Sequence, residues 1–483
     1  MLRWNRLLTS TSLALALGAC ATVGPDFKAP DAPQGAAGQG YAMAGDPTAA
    51  AVALGAQAGP AGGWWRAFGS SDLDRTIELA LASSPTLAEA QATLERYQAE
   101  ARAAYGETLP QVDANGGAQR ERINTRAFGF DFPNPTINLY SVGAGVTYDL
   151  DLFGGGRRRT EAAQARAERA ARQADAAYLT LTANVARQAI RIASLKAQLD
   201  ALDAVIAADQ NTVDMVRRAQ TAGGEARSAT TSAVAQLAED QALAPPLRRQ
   251  YDAARHALAL LAGKAPAEWP APDFVLAQFV APASIPVSLP SSLVRSRPDI
   301  LAAEAELHAA TAQIGVAVAN QYPDIRLTAS LTQSALTPGA LFNYDASGWN
   351  LMSGVTAPIF HGGTLKAERR AAEAEARASL ARYQATVLRA FVQVSDAMAA
   401  LASDADHIAA LERAWNAAAA HARDADVAYR LGGASLLQLV DARRQESRAL
   451  RSLAEARAER LSDTVDLYAA TASDWRAAQS DRS

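Results

Sequence analysis

From Tyr140 the chain alternates strictly: Tyr140, Val142, Ala144, Val146, Tyr148 and Leu150 fall on one side, and Ser141, Gly143, Gly145, Thr147 and Asp149 on the other. A period of two predicts a strand with one apolar and one polar face. The same period follows Pro110, with Val112, Ala114, Gly116 and Ala118 against Gln111, Asp113, Asn115 and Gly117. It follows Pro323 as well, with Ile325, Leu327, Ala329 and Leu331 against Arg326, Thr328, Ser330 and Thr332, and less regularly from Trp349 to Ile359. Between these stretches the apolar residues, mostly alanine, recur at three and four, the spacing of helices.

The pattern occurs twice. Ser84-Pro85 opens an apolar-periodic segment that ends at Pro110, and Arg297-Pro298 opens one that ends at Pro323, each pair of prolines 25 residues apart. Proline suits the first turn of a helix and stops one beyond its end, so each pair brackets a helix. Two predicted strands follow in each half, the second closing on Phe153-Gly154-Gly155 or on Phe360-His361-Gly362-Gly363. Proline-free helical runs then extend over about 157–218 and 364–429, on the order of 90 to 100 Å each at 1.5 Å per residue. Both meet a glycine pair, Gly223-Gly224 and Gly432-Gly433, the expected stop and turn, and a returning helix follows. Each half therefore reads as helix, two strands, long helix, glycine turn, returning helix.

Four strands cannot close a membrane barrel, since the smallest closed ones have eight and an open edge in lipid leaves backbone groups unpaired. Three copies would supply twelve, and the Ala-rich hairpins can pack side by side in the same assembly. The fold expected is thus an α+β membrane protein: a trimeric twelve-strand β-barrel, four strands from each protomer, continued by a long α-helical barrel, with internal structural duplication.

The N-terminus changes the picture of where this happens. Arg3 and Arg6 precede a short apolar-leaning run from Leu7 to Leu17, the layout of an export signal and too short to span a membrane. Leu17-Gly18-Ala19-Cys20 resembles a bacterial lipobox, and Cys20 is the only cysteine, so it forms no intrachain disulfide. Cys20 is the expected lipidation site, with Ala21 after it as in lipoproteins sorted to the outer membrane. Acyl chains anchor a protein but form no pore.

The chain is divided accordingly into a signal peptide at 1–19, a lipid-anchored extended segment at 20–63, a first repeat at 64–275, a linker at 276–296, a second repeat at 297–472 and a tail at 473–483. At 483 residues it exceeds one ordinary compact core.

Composition removes other classes. A net charge of -4, with Lys and Arg interspersed among Asp and Glu, gives no footprint for nucleic acid. His256, His308, His361, His407 and His421 are scattered, with no HExxH or CxxC spacing, so neither metal nor cofactor is expected. Gly154-Gly155-Gly156 before Arg157-Arg158-Arg159 lacks the Gly-Lys-Ser/Thr ending of a phosphate loop, and the arginines read as a helix start at the water edge. No nucleophile with an orienting base stands out, and an enzyme is not expected.

The residues now support a resemblance. Gly24-Pro25-Asp26-Phe27 with Pro30, Trp64-Trp65 with Phe68, Ser84-Pro85-Thr86-Leu87 and Tyr148-Asp149-Leu150-Asp151-Leu152-Phe153-Gly154-Gly155 carry it in the first half. Leu289-Pro290-Ser291-Ser292-Leu293, Arg297-Pro298-Asp299-Ile300, Ala303-Glu304, Ile314-Gly315-Val316-Ala317 and Ala357-Pro358-Ile359-Phe360 carry it in the second. Together they resemble the TolC-like outer-membrane factors, lipoprotein branch, over nearly the whole mature chain.

That resemblance implies a homotrimer in the outer membrane of a Gram-negative envelope. It would act as a passive duct joined through a periplasmic adaptor protein to a proton-driven inner-membrane pump. It also implies a periplasmic gate in the segment from Tyr429 to Asp441, with Tyr429 and Asp441 at family gate positions. Gln438 stands where many relatives have an acid and Ala434 where some have arginine, which lowers the charge of the gate. Three copies of Asp441 near an axis would make an anionic ring favouring cations. Gly223, Gly224, Gly432 and Gly433 would sit at hairpin tips that meet the adaptor, and Trp64-Trp65 would pack in an equatorial belt. Tyr140, Tyr148 and Trp349 suit either a membrane interface or ordinary packing. The exit duct of a type I protein-secretion system and a non-channel coiled-coil envelope lipoprotein remain the alternatives.

Overall fold

The computed structural model describes residues 22–30, 54–55, 63–124, 129, 133–282, 285–286 and 293–471. The signal peptide, Cys20, most of the extended segment, the residues 289–292 and the C-terminal tail lie outside the described residues. The chain forms two compact units, each drawing on both repeats: 1–30, 93–171 and 302–383 in the first, and 31–92, 172–301 and 384–483 in the second.

Seven α-helices and six strands are described. In chain order they are β1 (Leu54–Gly55), α1 (Ser71–Ser83), α2 (Pro85–Gly106), β2 (Gln111–Arg122), β3 (Thr136–Leu150), α3 (Gly155–Thr221), α4 (Arg227–Leu261), β4 (Ile285–Pro286), α5 (Pro298–Ala319), β5 (Asp324–Ala335), β6 (Ser347–Thr356), α6 (Thr364–Arg430) and α7 (Leu436–Thr471). The repeat is visible in the element lengths. Both α2 and α5 begin on proline and run 22 residues, and both α3 and α6 run 67.

In the first unit, β2, β3, β5 and β6 form one antiparallel sheet in that spatial order. The strand predicted from Trp349 to Ile359 instead starts at Ser347 and ends at Thr356. Pro358 cannot donate to a ladder, which is a physical reason for pairing to stop short of it. The connections from β2 to β3 and from β5 to β6 lie at one end of the sheet, while α2, α3, α5 and α6 join it at the other.

Residues 22–30 are strapped down at that second end. The Val23 amide donates to the Phe153 carbonyl at 3.1 Å, and Phe27 stacks on His308 with centroids 4.4 Å apart. Gly24, at φ 92°, passes so close to Gly315 that a Cβ on Gly24 would lie 2.5 Å from the Gly315 Cα. Arg158 holds the strap electrostatically, its guanidinium reaching the Val23 carbonyl at 3.2 Å, Asp26 at 2.6 Å and Glu161 at 2.7 Å. The arginine run is a helix start, as expected, but Arg158 is not at the water edge: it is 3% exposed while Arg157 and Arg159 stay in solvent. A buried guanidinium needs paired oxygens, and the distant strap supplies them.

The second unit has an aromatic centre. Trp64, Trp65 and Phe68 are buried, and Trp64 stacks on Tyr468 with centroids 5.5 Å apart. Helix α1, which the sequence reading did not separate, starts on a Ser70 cap accepting from the Leu73 amide at 3.3 Å and buries Leu73, Ile77 and Ala80. The parallel pair β1 with β4 was also unexpected. Arg297, ahead of α5, sends its guanidinium to Asp299 at 3.0 and 2.7 Å, to Gln393 at 2.7 Å and to the Ala470 carbonyl at 2.8 Å.

Candidate functional site

Two regions have the makings of function: the faces and edges of the four-stranded sheet, and the tips of the two helical hairpins.

The sheet register sorts the side chains into two faces. One face carries the rows Leu150–Ile325–Val355, Tyr148–Leu327–Ser353, Val112–Val146–Ala329–Leu351 and Ala114–Ala144–Leu331–Trp349, followed by Gly116–Val142–Gln333–Ser347 and Ala118–Tyr140–Ala335. The other carries Gln111–Thr147–Thr328–Met352, Asp113–Gly145–Ser330–Asn350 and Asn115–Gly143–Thr332–Gly348, with Asp149 against Arg326. The alternation seen in single strands is thus aligned across all four. The apolar face is uncovered: Val112, Leu331, Trp349, Leu351 and Val355 are all exposed. On the polar face Arg326 and Asp149 pair at 2.6 Å. Among the described residues β2 and β6 each pair on one side only, which leaves two open backbone edges.

The hairpin tips match in detail. Gly223 and Gly432 share a left-handed φ of 78°. The Gly223 amide donates to Gln220 O at 3.0 Å and the Gly224 amide to Ala219 O at 2.8 Å; Gly432 and Gly433 donate to Tyr429 O and Ala428 O at the same two distances. This double bond pattern satisfies the last carbonyls of each long helix and needs a residue without Cβ at the first position. All four glycines are exposed.

The returning helices start differently. Ala226 offers α4 no side-chain cap. Before α7, the Ser435 amide donates to Gln438 Oε1 at 2.7 Å and the Gln438 amide to Ser435 Oγ at 3.3 Å, a reciprocal capping box. Gln438 is therefore engaged in starting the helix. Tyr429 packs half-buried with Leu436 against Ala422, Ala425, Leu439 and Ala442, in the seam between α6 and α7. Asp441 is exposed and accepts from Gln445 at 2.9 Å. Tyr429 and Asp441 thus lie on the two arms of one hairpin, each with its own partners.

Sequence reasoning missed the charged groups beside them. Asp426 pairs with Arg430 at 2.6 Å and with Arg443 of α7 at 2.9 Å, and Arg444 pairs with Asp240 of α4 at 2.8 Å. The i,i+4 spacing of Asp426 and Arg430 was a readable signal; the cross-helix pairs had none. It also missed Leu437, 74% exposed and one turn before Asp441 on the same helix face.

Further along, two buried carboxyls, Asp209 and Asp404, each face a half-buried one, Asp240 and Asp463 respectively. Burial first, and then Asp240 beside it, push the Asp209 carboxyl up to about 6, against the pull of Arg444. Burial first, and then Asp404, push Asp463 to about 6 as well. A raised carboxyl favours the protonated form in the folded state, so its stabilisation is complete below the unfolded pKa and is lost as pH rises through about 6. Asp209→Asn, which keeps the hydrogen-bonding shape without the charge, is expected to raise the thermal midpoint at pH 8 and leave it nearly unchanged below the unfolded value of 3.8, at about pH 3. Equal shifts at both pH values would refute the assignment.

Comparison with known proteins follows the same lines. The family described as outer membrane efflux protein matches residues 76–264 and 289–473, one stretch in each repeat. The pyoverdine export outer membrane protein OpmQ of Pseudomonas putida is 30% identical over 432 residues, covering 87% of this chain and 90% of its own. The antibiotic efflux pump outer membrane protein ArpC of Pseudomonas putida is 30% identical over 481 residues, covering 97% and 96%. Among solved structures, the outer-membrane channel OprN superposes with a TM-score of 0.86 at 26% identity, covering 94% of this chain and all of that one.

Proposed function

Because the chain belongs to the outer membrane efflux protein family, we propose that three copies form the passive duct of a tripartite pump, each contributing four strands to one closed twelve-strand barrel. The protein resides in the outer membrane and serves efflux. The observation that carries the trimer is the sheet: one largely apolar face, interrupted only by Ser353 and by Gln333 beside Ser347, one polar face and two open edges. In lipid those edges need partners, and β6 of one copy can supply β2 of the next.

The two helical hairpins of each copy would continue the duct as an α-helical barrel through the periplasm, with Gly223, Gly224, Gly432 and Gly433 at tips offered to a periplasmic adaptor. Their exposure supports that role. A proton-driven inner-membrane pump would load the duct, and Cys20 would carry the lipid anchor. Relatives named for pyoverdine and antibiotic export favour small molecules as cargo. No chemical step is required of a conduit.

The periplasmic gate is assigned to the second hairpin, at Tyr429, Gln438 and Asp441. Tyr429 would seat the two helices against each other, Gln438 would fix the start of α7, and Asp441 would line the constriction with Leu437. A carboxylate ring attracts cations, so Asp441→Ala is expected to raise single-channel conductance in planar bilayers and reduce cation preference. Unchanged current and selectivity would remove Asp441 from the gate. Trimers that conduct no ions at all would count against the duct itself.

A further inference from the structure

On the face that the barrel reading turns toward lipid, β2 does not end where the apolar rows end. Beyond Ala118 opposite Tyr140, the register sets Arg120 opposite Asn138 and Arg122 opposite Thr136. These four polar side chains continue the same face, because the period of two is unbroken along both strands. Both arginines are exposed. The acid between them, Glu121, points to the other face, where Gln119 donates to it at 2.9 Å.

Heights decide what surrounds the pair. From Leu150 to Tyr140 the apolar face of β3 rises by ten residues, about 34 Å along the strand and roughly 26 Å along the normal at the 35–45° tilt of membrane barrels. That matches the apolar band of about 25 Å typical of such barrels. Arg120 is one step above Tyr140 and Arg122 two, so they fall at about 5 and 10 Å past the band, within the headgroup layer. The pair is at the sheet end that carries the strand connections, opposite the end that carries the helices. With the helices in the periplasm, that end faces the outer leaflet. At the helix end the same face closes on Leu150, Ile325 and Val355, with no strand arginine beyond them.

We propose that Arg120 and Arg122, assisted by Asn138 and Thr136, bind the phosphate groups of an anionic lipid in the outer leaflet. Two guanidiniums two residues apart on a strand offer forked donors to phosphate oxygens, and the neutral amide and hydroxyl add hydrogen bonds without opposing charge. The β2 edge places this site at the seam where a second copy would pair, so bound lipid would brace the junction between protomers. The assignment rests on the barrel reading.

The test uses full-length trimer in detergent, native mass spectrometry and three probes: a bis-phosphorylated glycolipid of the lipid A type, its dephosphorylated form, and inorganic phosphate. Wild type is expected to retain the phosphorylated lipid about tenfold more strongly than the dephosphorylated one, and the Arg120→Gln, Arg122→Gln double variant is expected to lose that preference. Millimolar inorganic phosphate is expected not to displace the lipid. Equal retention by wild type and variant, or displacement by free phosphate, would overturn this site while leaving the barrel intact. A wild-type chain that stays monomeric would instead sink the barrel reading, and the site with it.

Discussion

Leu331→Arg is expected to abolish trimer accumulation in the outer membrane, while Ser330→Arg, one residue earlier, leaves it nearly unchanged. Leu331 lies on the inner strand β5, opposite Ala144 on one side and Trp349 on the other, and is 57% exposed in the single chain. Nothing in the protomer covers it among the described residues, so a soluble protein would tolerate arginine there. On a barrel the position faces hydrocarbon several residues from either end of the apolar rows, where arginine costs roughly 2–4 kcal/mol per copy. Three copies would multiply that cost within one cooperative assembly. Ser330 is on the polar face beside Gly145 and Asn350, where a charge meets water. Trimer bands in mild detergent, together with the fraction of protein in outer membranes, measure both variants. Equal accumulation of the two would mean that the register does not sort lipid from lumen.

The contrast depends on a pattern that was readable, and the reason is local. A strand carries its faces at period two, so Tyr140 to Leu150 announce one without any knowledge of neighbours. The proline spacing was as local, and the helices it bracketed begin on Pro85 and Pro298. The glycine pairs were legible because a residue without Cβ closes a long helix with φ near 78° at least strain. Gln438 was half legible. Its difference from related sequences was noticed, while the Ser435-x-x-Gln438 box, a plain N-terminal signal, was overlooked.

Other features are held by partners far away in sequence. Arg158 is buried because Val23 and Asp26 come to it. The parallel pair joins Leu54 to Ile285, two segments with no strand period of their own. In the 67-residue helices the facing of any one residue is hard to read, since an apolar repeat drifts around a straight helix by about 20° per heptad. Asp209 of α3, Asp240 of α4 and Arg444 of α7 come from three different helices, and no spacing in the sequence brings them together. Helix α1 has a different explanation: its Leu73, Ile77 and Ala80 stripe was present, but Ser84-Pro85 drew attention as the start of a helix and hid the one that ends there.

Arg297 combines both situations, since its position in Arg297-Pro298-Asp299 was readable and its task was not. Arg297 is 7% exposed, and its guanidinium fastens the entry of α5 to α6 through Gln393 and to the last turns of α7 through the Ala470 carbonyl, with Asp299 bound by two of its nitrogens. Asp299 is half in solvent, with its side chain 42% exposed. The two partners therefore respond unequally to removal. Arg297→Ala leaves a carboxylate that water can reach, and the loss is the hydrogen bonds plus a small void, about 2–3 kcal/mol. Asp299→Ala leaves a buried guanidinium without its counter-charge, about 3–5 kcal/mol. Arg297→Lys is expected to fall near Arg297→Ala, because an ammonium cannot reproduce a fork that serves three acceptors on three elements. Heat or denaturant midpoints of the purified protein, followed by helicity, give the order: wild type highest, the two Arg297 variants lower, Asp299→Ala lowest. Lysine restoring wild-type stability would show that charge alone holds this junction, and the geometric account of Arg297 would fail.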